Sequence, residues 1–197
     1  VGKHQRMMIS MQLRHIDYLD QEIARLDKEV EEQMRPFEQE IILLDGIPGI
    51  GVRSAQVVLA CIGTDMSRFP STSHIASWAG LSPGNNESAG KRKKAKCKKG
   101  NPLLRTTLIQ AAKSASHTKD TYLSAQYRRI AARRGANKAA VAVAHTILVI
   151  IYCMLKNPLP CQEMGADYFA KVNSKAIAKR AIKQLEMFGC QVKIEAA

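Results

Sequence analysis

Acidic residues are nearly absent from the middle of this chain, and aromatic residues are scarce throughout. Of the 17 Asp and Glu in 197 residues, only Asp120 lies between Lys91 and Lys156, a stretch that holds sixteen Lys and Arg. Aromatic residues make up 5% of the sequence, whereas Ala, Ile, Leu, Lys and Glu are frequent, which favours helices. No segment alternates apolar and polar residues as a half-buried strand does. We therefore predict an all-α fold.

Paired cysteines are lacking as well. The five cysteines are scattered and form no C-x-x-C pair, which favours reduced thiols in a cytosol over disulfides or a zinc site. The opening residues VGKHQRMMIS lack the apolar run and the cleavage site of a secretion signal. They also lack an initiator methionine, so we expect a fragment of a longer protein. The one long apolar run, Ala139 to Leu155, is slightly short for a membrane span and contains His145. We predict a buried core helix there and no membrane partner.

The N-terminal part carries apolar residues at every seventh position. These are Ile9, Ile16, Ile23, Val30, Phe37 and Leu44, with Leu19 and Leu26 at the companion positions. β-Branched residues on one line and leucine on the other favour a two-stranded coiled coil. Pro36 should kink or restart the helix. We predict an N-terminal long coiled-coil helix over 1–44, which forms a homodimer or a higher homo-oligomer, followed by a compact helical domain over 45–197. Packing of the same face within one chain remains the alternative.

A glycine-rich turn joins two predicted helices in LLDGIPGIGVRSAQVVLACIG, Leu43 to Gly63. The spacing is similar to the helix-hairpin-helix motif, in which Gly49 and Gly51 would let the backbone approach a phosphate closely. The N–H groups that open the second helix would face the anion, with Arg53 beside them. A hairpin that merely connects two helices remains the alternative.

Further helices are predicted along the rest of the chain from apolar periodicity and from Pro and Gly at the ends. In the first of them, Ile75 and Trp78 are expected to point inward. The predicted ranges are Ser71 to Ala79, Leu103 to Ser116, Thr121 to Arg134, Asn137 to Leu155 and Ser174 to Phe188, with a short strand-like segment from Cys190 to Ile194.

The run KRKKAKCKK, Lys91 to Lys99, places seven cations in nine residues directly after a turn of small residues, Ser88 to Gly90. Charge this dense predicts a polyanionic partner, and nucleic acid is favoured because neutralised phosphates release their counterions. A solvated tail or a localisation signal is the alternative interpretation.

Paired carboxylates, which would hold two catalytic metal ions, are missing from this basic part, so we expect no metal site in the chain. Ser88 is the candidate nucleophile, because its hydroxyl lies on a glycine-flanked loop where cations would hold a phosphodiester. Lys91, Arg92 or Arg105 would stabilise the developing charge. From spacing alone, an ordinary turn serine remains the alternative.

Three segments follow one another in an order that resembles a known family. They are IPGIGVRSAQVVLACIG from Ile47, RFPSTSHIASWAGLSP from Arg68 and ESAGKRKKAKCKKGNPLLRTTLIQAA from Glu87. Together they resemble the C-terminal transposase domain of the bacterial insertion sequence one-ten type, also called DEDD transposases. The similarity extends more weakly over about Leu43 to Ile194, through the long apolar run and the closing LEMFGCQVKI.

The resemblance implies that Ser88 forms a covalent phosphoserine link to DNA. Asn101 and Arg105 match the family's G-N-x-x-L-R segment. The sequence departs from the family at Ser88-Ala89-Gly90, where the family commonly has Ser-Gly-Gly. The predicted nucleic-acid-binding residues are Gly49, Gly51, Arg53, Lys91, Arg92, Lys93, Lys94, Lys96, Lys98, Lys99, Asn101, Arg105, Arg128 and Arg129.

The resemblance also implies an N-terminal domain with four metal-binding acids. Mg²⁺ is expected there, and no cofactor is expected in this chain. Similar recombinases are guided by a structured RNA, so DNA and a guide RNA are both implied as partners, in the cytoplasm and near the nucleoid of a bacterial or archaeal cell. The prediction is a C-terminal fragment of a site-specific DNA transposase, inactive by itself. A non-enzymatic helix-hairpin-helix module remains the alternative, and a dimeric scaffold that binds an acidic protein tail is a third.

Overall fold

The computed structural model describes residues 2–84, 87–92, 97, 99–172 and 174–188. Helices dominate this part of the chain, which confirms the all-α prediction. They are α1 (Lys3–Met34), α2 (Glu38–Asp45), α3 (Val52–Ile62), α4 (Thr72–Trp78), α5 (Pro102–His117), α6 (Tyr122–Arg134), α7 (Ala136–Lys156), α8 (Tyr168–Val172) and α9 (Ser174–Met187). Two-residue strands, β1 (Glu87–Ser88) and β2 (Lys91–Arg92), form a hairpin. The strand-like segment predicted from Cys190 to Ile194 lies outside the described residues.

The chain divides into two compact units, residues 1–40 and 41–197. In the first unit, α1 runs unbroken for 32 residues, none of which is buried. Ile9, Ile16 and Ile23 on the predicted seam are 49%, 52% and 51% exposed. Around Pro36 a 3₁₀ turn, Arg35–Phe37, replaces the regular helix, as expected for a residue that lacks a backbone N–H. The seam side chains of α1 are therefore accessible in a single chain, whereas Leu44, the last position of the predicted seam, is fully buried in the second unit.

Helix α7 is the centre of the second unit and packs against α5 and α6. Its buried side chains recur every three or four residues, as on one face of a helix, and include Ala140, Val143, Ile147 and Ile151. Its length and composition alone would allow a membrane span, but half of its most apolar stretch is buried within the unit. Each Val or Ile that is buried there contributes about 1.5–3 kcal/mol. This burial fits the predicted core helix.

The turn between α2 and α3 packs against α5. Gly49 has a φ of 88°, and a Cβ at this position would lie 2.3 Å from the Ala111 carbonyl oxygen and 2.7 Å from the Ala115 nitrogen. Glycine is therefore required at 49 for close packing of two backbones, a different reason from the phosphate contact that the sequence suggested. Gly51 precedes the first residue of α3, and a Cβ there would meet no atom within 4 Å.

The burial of α4 differs from the prediction at one residue. Ile75 is fully buried as expected, but Trp78 is 41% exposed, so the expectation that it points inward is wrong. The buried face of this segment is formed by Ile75, Ala76 and Ala79. At about 100° of rotation per residue, Trp78 lies roughly 100° from the centre of that face. The indole therefore lies at the edge of the buried face.

Candidate nucleic-acid interface

Ser88 lies in a tight hairpin at the start of the basic run. Strands β1 and β2 pair antiparallel, with Ser88 opposite Lys91. Ala89 and Gly90 between them have φ values of 50° and 72°, as in a type I′ turn, where both central residues need positive φ. Gly90 adopts this conformation freely, whereas an L-residue such as Ala89 pays about 1–2 kcal/mol for it. The turn chemistry thus gives a physical reason for the Ser-Gly-Gly common in the family that the sequence resembles.

The hydroxyl of Ser88 is exposed, and among the described residues it forms no hydrogen bond. Residues directly opposite each other in an antiparallel pair project from the same face, so Lys91 is on the same side of the hairpin as Ser88. A phosphate that reached the hydroxyl would meet this ammonium group. Of the other predicted contacts in the run, Lys99 is exposed. Lys93, Lys94, Lys96 and Lys98 lie outside the described residues, and the structure gives only the backbone pairing of Arg92, opposite Glu87.

The two ends of the loop that carries this hairpin are held side by side. The Asn101 backbone nitrogen donates to the Trp78 carbonyl oxygen at 3.2 Å. The Arg105 guanidinium donates through Nη1 to the Gly80 carbonyl oxygen at 2.6 Å. Between them, Gly100 packs so closely on α4 and its cap that a Cβ would lie 2.2 Å from the Gly80 nitrogen. The loop from 81 to 100 is therefore closed at its base, where α4 ends and α5 begins.

Asn101 and Arg105 both have internal partners at this base. The Asn101 side chain accepts a hydrogen bond from the Leu104 backbone nitrogen at 3.1 Å and so caps α5. It also contacts Cys61: burial raises the pKa of this thiol, and the hydrogen bond with Asn101 opposes the rise. The Arg105 side chain is half-buried and bonded to Gly80. These two residues support the loop, and direct contact with nucleic acid stays a prediction for both.

The remaining predicted contacts lie on other elements. Arg53 is exposed in the first turn of α3, whose N-terminus has no side-chain cap. Arg128 is exposed on α6. The guanidinium of its neighbour Arg129 lies 4.5 Å from the centre of the Phe169 ring, a cation–π contact that links α6 to α8. Arg129 thus has a structural contact within the chain.

An open groove of about 660 Å³ separates the ends of the loop from α6 and α7. Leu81, Pro83 and Cys97 line it on the loop side, and Gln126 and His145 line it on the helix side. Burial lowers the pKa of His145, which favours the neutral imidazole. The groove therefore places one titratable ring beneath the loop.

A metal site is not formed by the part of the chain that the structure describes. Within those residues no three His, Cys, Asp or Glu side chains come together as metal ligands would. The Mg²⁺ that the resemblance implies is expected in the N-terminal domain and not at these residues.

Comparisons with known proteins find similarity to transposases in the part of the chain that carries this loop. Residues 42–128 match the family described as Transposase IS116/IS110/IS902. The chain is 29% identical over 160 residues to the transposase for insertion sequence element IS1111A of Coxiella burnetii, an alignment that covers 79% of this chain and 44% of the relative. A stretch of 41 residues is 49% identical to the insertion element IS110 uncharacterized 43.6 kDa protein of Streptomyces coelicolor, covering 21% of this chain and 10% of that protein.

The matched range 42–128 runs from α2 into α6 and includes the Ser88 hairpin and the base of its loop. The matches support the predicted resemblance to insertion sequence one-ten transposases. The chain spans less than half the length of these curated relatives.

Proposed function

We propose that this chain is the nucleic-acid-binding part of an insertion-sequence DNA transposase and that it supplies Ser88 as the nucleophile for strand exchange. The observation that carries the proposal is an exposed serine in a tight hairpin, with Lys91 on the same face, at the entry to a loop of seven cations. That hairpin lies within the residues matched by the transposase family.

In the proposed reaction, Ser88 Oγ attacks the phosphorus of a phosphodiester. The Oγ–P bond forms, one P–O bond of the strand breaks, and the released strand end takes up a proton as a hydroxyl. The phosphoserine ester conserves the bond, so a second strand hydroxyl can displace Ser88 and join the strands without ATP. Lys91 on the same face would stabilise the charge that develops on the phosphoryl oxygens. The Ser88 hydroxyl has no hydrogen-bond partner among the described residues, so the group that would take its proton is not identified among them.

Two parts of the second unit would hold the DNA or RNA backbone. The basic run would neutralise phosphates, and the N–H groups that open α3, beside Arg53, would donate hydrogen bonds to another phosphate as in a helix-hairpin-helix motif. Gly51 leaves the approach to this helix end open, since a Cβ there would meet nothing within 4 Å. The partners we propose are DNA and a structured guide RNA, in the cytoplasm and near the nucleoid.

The first unit would bring two copies together. The apolar seam of α1 has the composition of a two-stranded coiled coil, and its side chains are accessible in one chain. We propose a homodimer or higher homo-oligomer through this helix. The isolated chain would bind nucleic acid without exchanging strands, because the metal-binding acids implied by the resemblance are not part of it.

Replacing the nucleophile tests the chemistry. In a complete polypeptide that contains this chain, Ser88→Ala should abolish strand transfer and the covalent protein–DNA complex seen on a denaturing gel, because no hydroxyl remains to form the ester. Its affinity for DNA should stay within about twofold, since a neutral exposed hydroxyl contributes little beside the phosphate contacts. Ser73→Ala, at an exposed serine of α4, is the matched control and should behave as the parent.

Undiminished recombination by Ser88→Ala would refute the assignment. A parent protein that binds DNA tightly but never becomes covalently attached would instead favour a non-enzymatic binding module.

Changing the charge of the loop tests the binding. Replacing Lys93, Lys94, Lys96 and Lys98 by glutamine should weaken binding and reduce the slope of log affinity against log salt by about 2.8–3.6, since each lost phosphate contact removes roughly 0.7–0.9. The control replaces the exposed lysines Lys113, Lys119, Lys171 and Lys179, with the same change in net charge. An unchanged slope in the loop variant would show that the basic run does not contact the nucleic acid.

A further inference from the structure

Trp78 is the only tryptophan of the chain, and it lies at the surface. It ends α4, and its indole is held by the Phe69 ring, whose centre is 5.7 Å away at an interplanar angle of 58°. Such a tilted aromatic pair restricts the rotation of the indole while part of the ring system stays exposed. The side chain is thus a fixed aromatic surface.

The position of Trp78 relates it to the loop that carries Ser88. Its carbonyl oxygen accepts the hydrogen bond from the Asn101 nitrogen, and a Cβ on Gly100 would lie 2.5 Å from the same oxygen. The return of the basic loop, with the exposed Lys99, therefore runs directly along the backbone of this residue. A strand whose phosphates follow the basic loop would come close to this residue.

The charges around Trp78 indicate which kind of partner would bind there. From Met66 to Lys119 the sequence contains one acid, Glu87, whereas cations occur on both sides of α4 and throughout the loop. An apolar protein surface would gain little from such a setting. A single-stranded nucleic acid uses both components, because its phosphates meet cations while its bases stack on aromatic rings.

We propose that Trp78 stacks on an unpaired nucleobase of the strand that the basic loop binds. This inference rests on the proposed nucleic-acid-binding function and adds a base-binding position to it. Stacking on an aromatic ring accepts any base, so the contact would favour single-stranded or locally unpaired DNA or RNA over duplex without selecting a sequence.

The fluorescence of the 197-residue chain reports this contact directly, since Trp78 is its sole tryptophan. The chain is titrated with a labelled single-stranded oligonucleotide and with an abasic oligonucleotide of the same length and charge. Anisotropy of the label reports binding, and tryptophan emission reports stacking. We expect the oligonucleotide with bases to quench the emission and to bind about 5- to 150-fold more tightly than the abasic one, which should bind without quenching.

Two variants separate stacking from folding. Trp78→Ala should lower the affinity for the oligonucleotide to the abasic level, and Trp78→Phe should retain most of it because phenyl rings also stack. The affinity for the abasic oligonucleotide should be equal in all three proteins, which shows that the phosphate-binding surface is intact. Parallel titrations with single-stranded RNA and with fully paired duplex show which kind of nucleic acid supplies the base. Of the ligands that contain bases, the duplex should quench the tryptophan emission least.

The failure of this inference is distinguishable from that of the proposed function. Binding with normal salt dependence but equal emission with and without bases, or an unchanged affinity of Trp78→Ala, would overturn the stacking contact alone. Emission that changes equally with inorganic polyphosphate would also overturn it. If no oligonucleotide binds at low salt, the proposed function fails as well.

Discussion

Replacing Gly100 by alanine should force apart the base of the loop. The added Cβ would lie 2.2 Å from the Gly80 nitrogen, 2.4 Å from the Ala79 carbonyl carbon and 2.5 Å from the Trp78 carbonyl oxygen. All three are backbone atoms at the end of α4, so no flexible side chain can move aside. Overpacking costs about 1–3 kcal/mol, and rigid neighbours place this site at the upper end. A loss of about 3 kcal/mol corresponds to a melting temperature roughly 6–12 °C lower for a unit of this size.

Thermal unfolding followed by circular dichroism measures the effect, and two other glycines serve as controls. At Gly46 a Cβ would lie at an ordinary 3.4 Å from its nearest neighbour, so Gly46→Ala should unfold almost as the parent does. Gly90 has a φ of 72° but nothing within 4 Å of an added Cβ, so Gly90→Ala should cost about 1 kcal/mol from the backbone conformation alone. If Gly100→Ala unfolds within 1 °C of the parent, the loop is not closed as described.

Two further predictions concern the coiled-coil seam and the groove. Ile16→Glu combined with Ile23→Glu should convert the assembly to monomers in sedimentation equilibrium, since each buried isoleucine would contribute about 1.5–3 kcal/mol per chain; an unchanged mass would contradict the seam. Because burial lowers the pKa of His145, the unfolded state takes up a proton near pH 6.5 before the folded state does. The free energy of unfolding should therefore have its full value above that pH and decrease as the pH drops below it. His145→Gln should reduce this fall, and an equally steep fall in the variant would refute the role of the ring.

Local sequence signals were sufficient to predict most helix ends. Pro102 in the first turn and Asn101 before it predicted the start of α5, and the helix indeed begins at Pro102 with the Asn101 side chain as its cap. Gly135 ends α6 as expected, with a φ of 85°. These signals work because capping depends on residues within one turn of the helix end.

The contacts at the base of the loop depend on residues that are far apart in sequence. Arg105 reaches Gly80 across 25 positions, and Gly100 packs on the end of α4. Apolar periodicity considers one helix without its neighbours, and it therefore placed Trp78 on the buried face. In the structure that face extends toward Ala79 and away from Trp78. The small residues at Ser88, Ala89 and Gly90 did predict a turn, since positive φ leaves a local signature. Lys93, Lys94, Lys96 and Lys98 remain sequence predictions.

The hairpin presents its exposed hydroxyl at the end of a two-residue ladder. A reactive atom exposed in this way cannot recognise a substrate by shape. If Ser88 is the nucleophile, the correct target site must be selected by the other contacts that align the strand before the hydroxyl reaches it. Changes in target choice should accordingly arise from substitutions distant from the serine, while replacement of the serine should abolish strand transfer at every target.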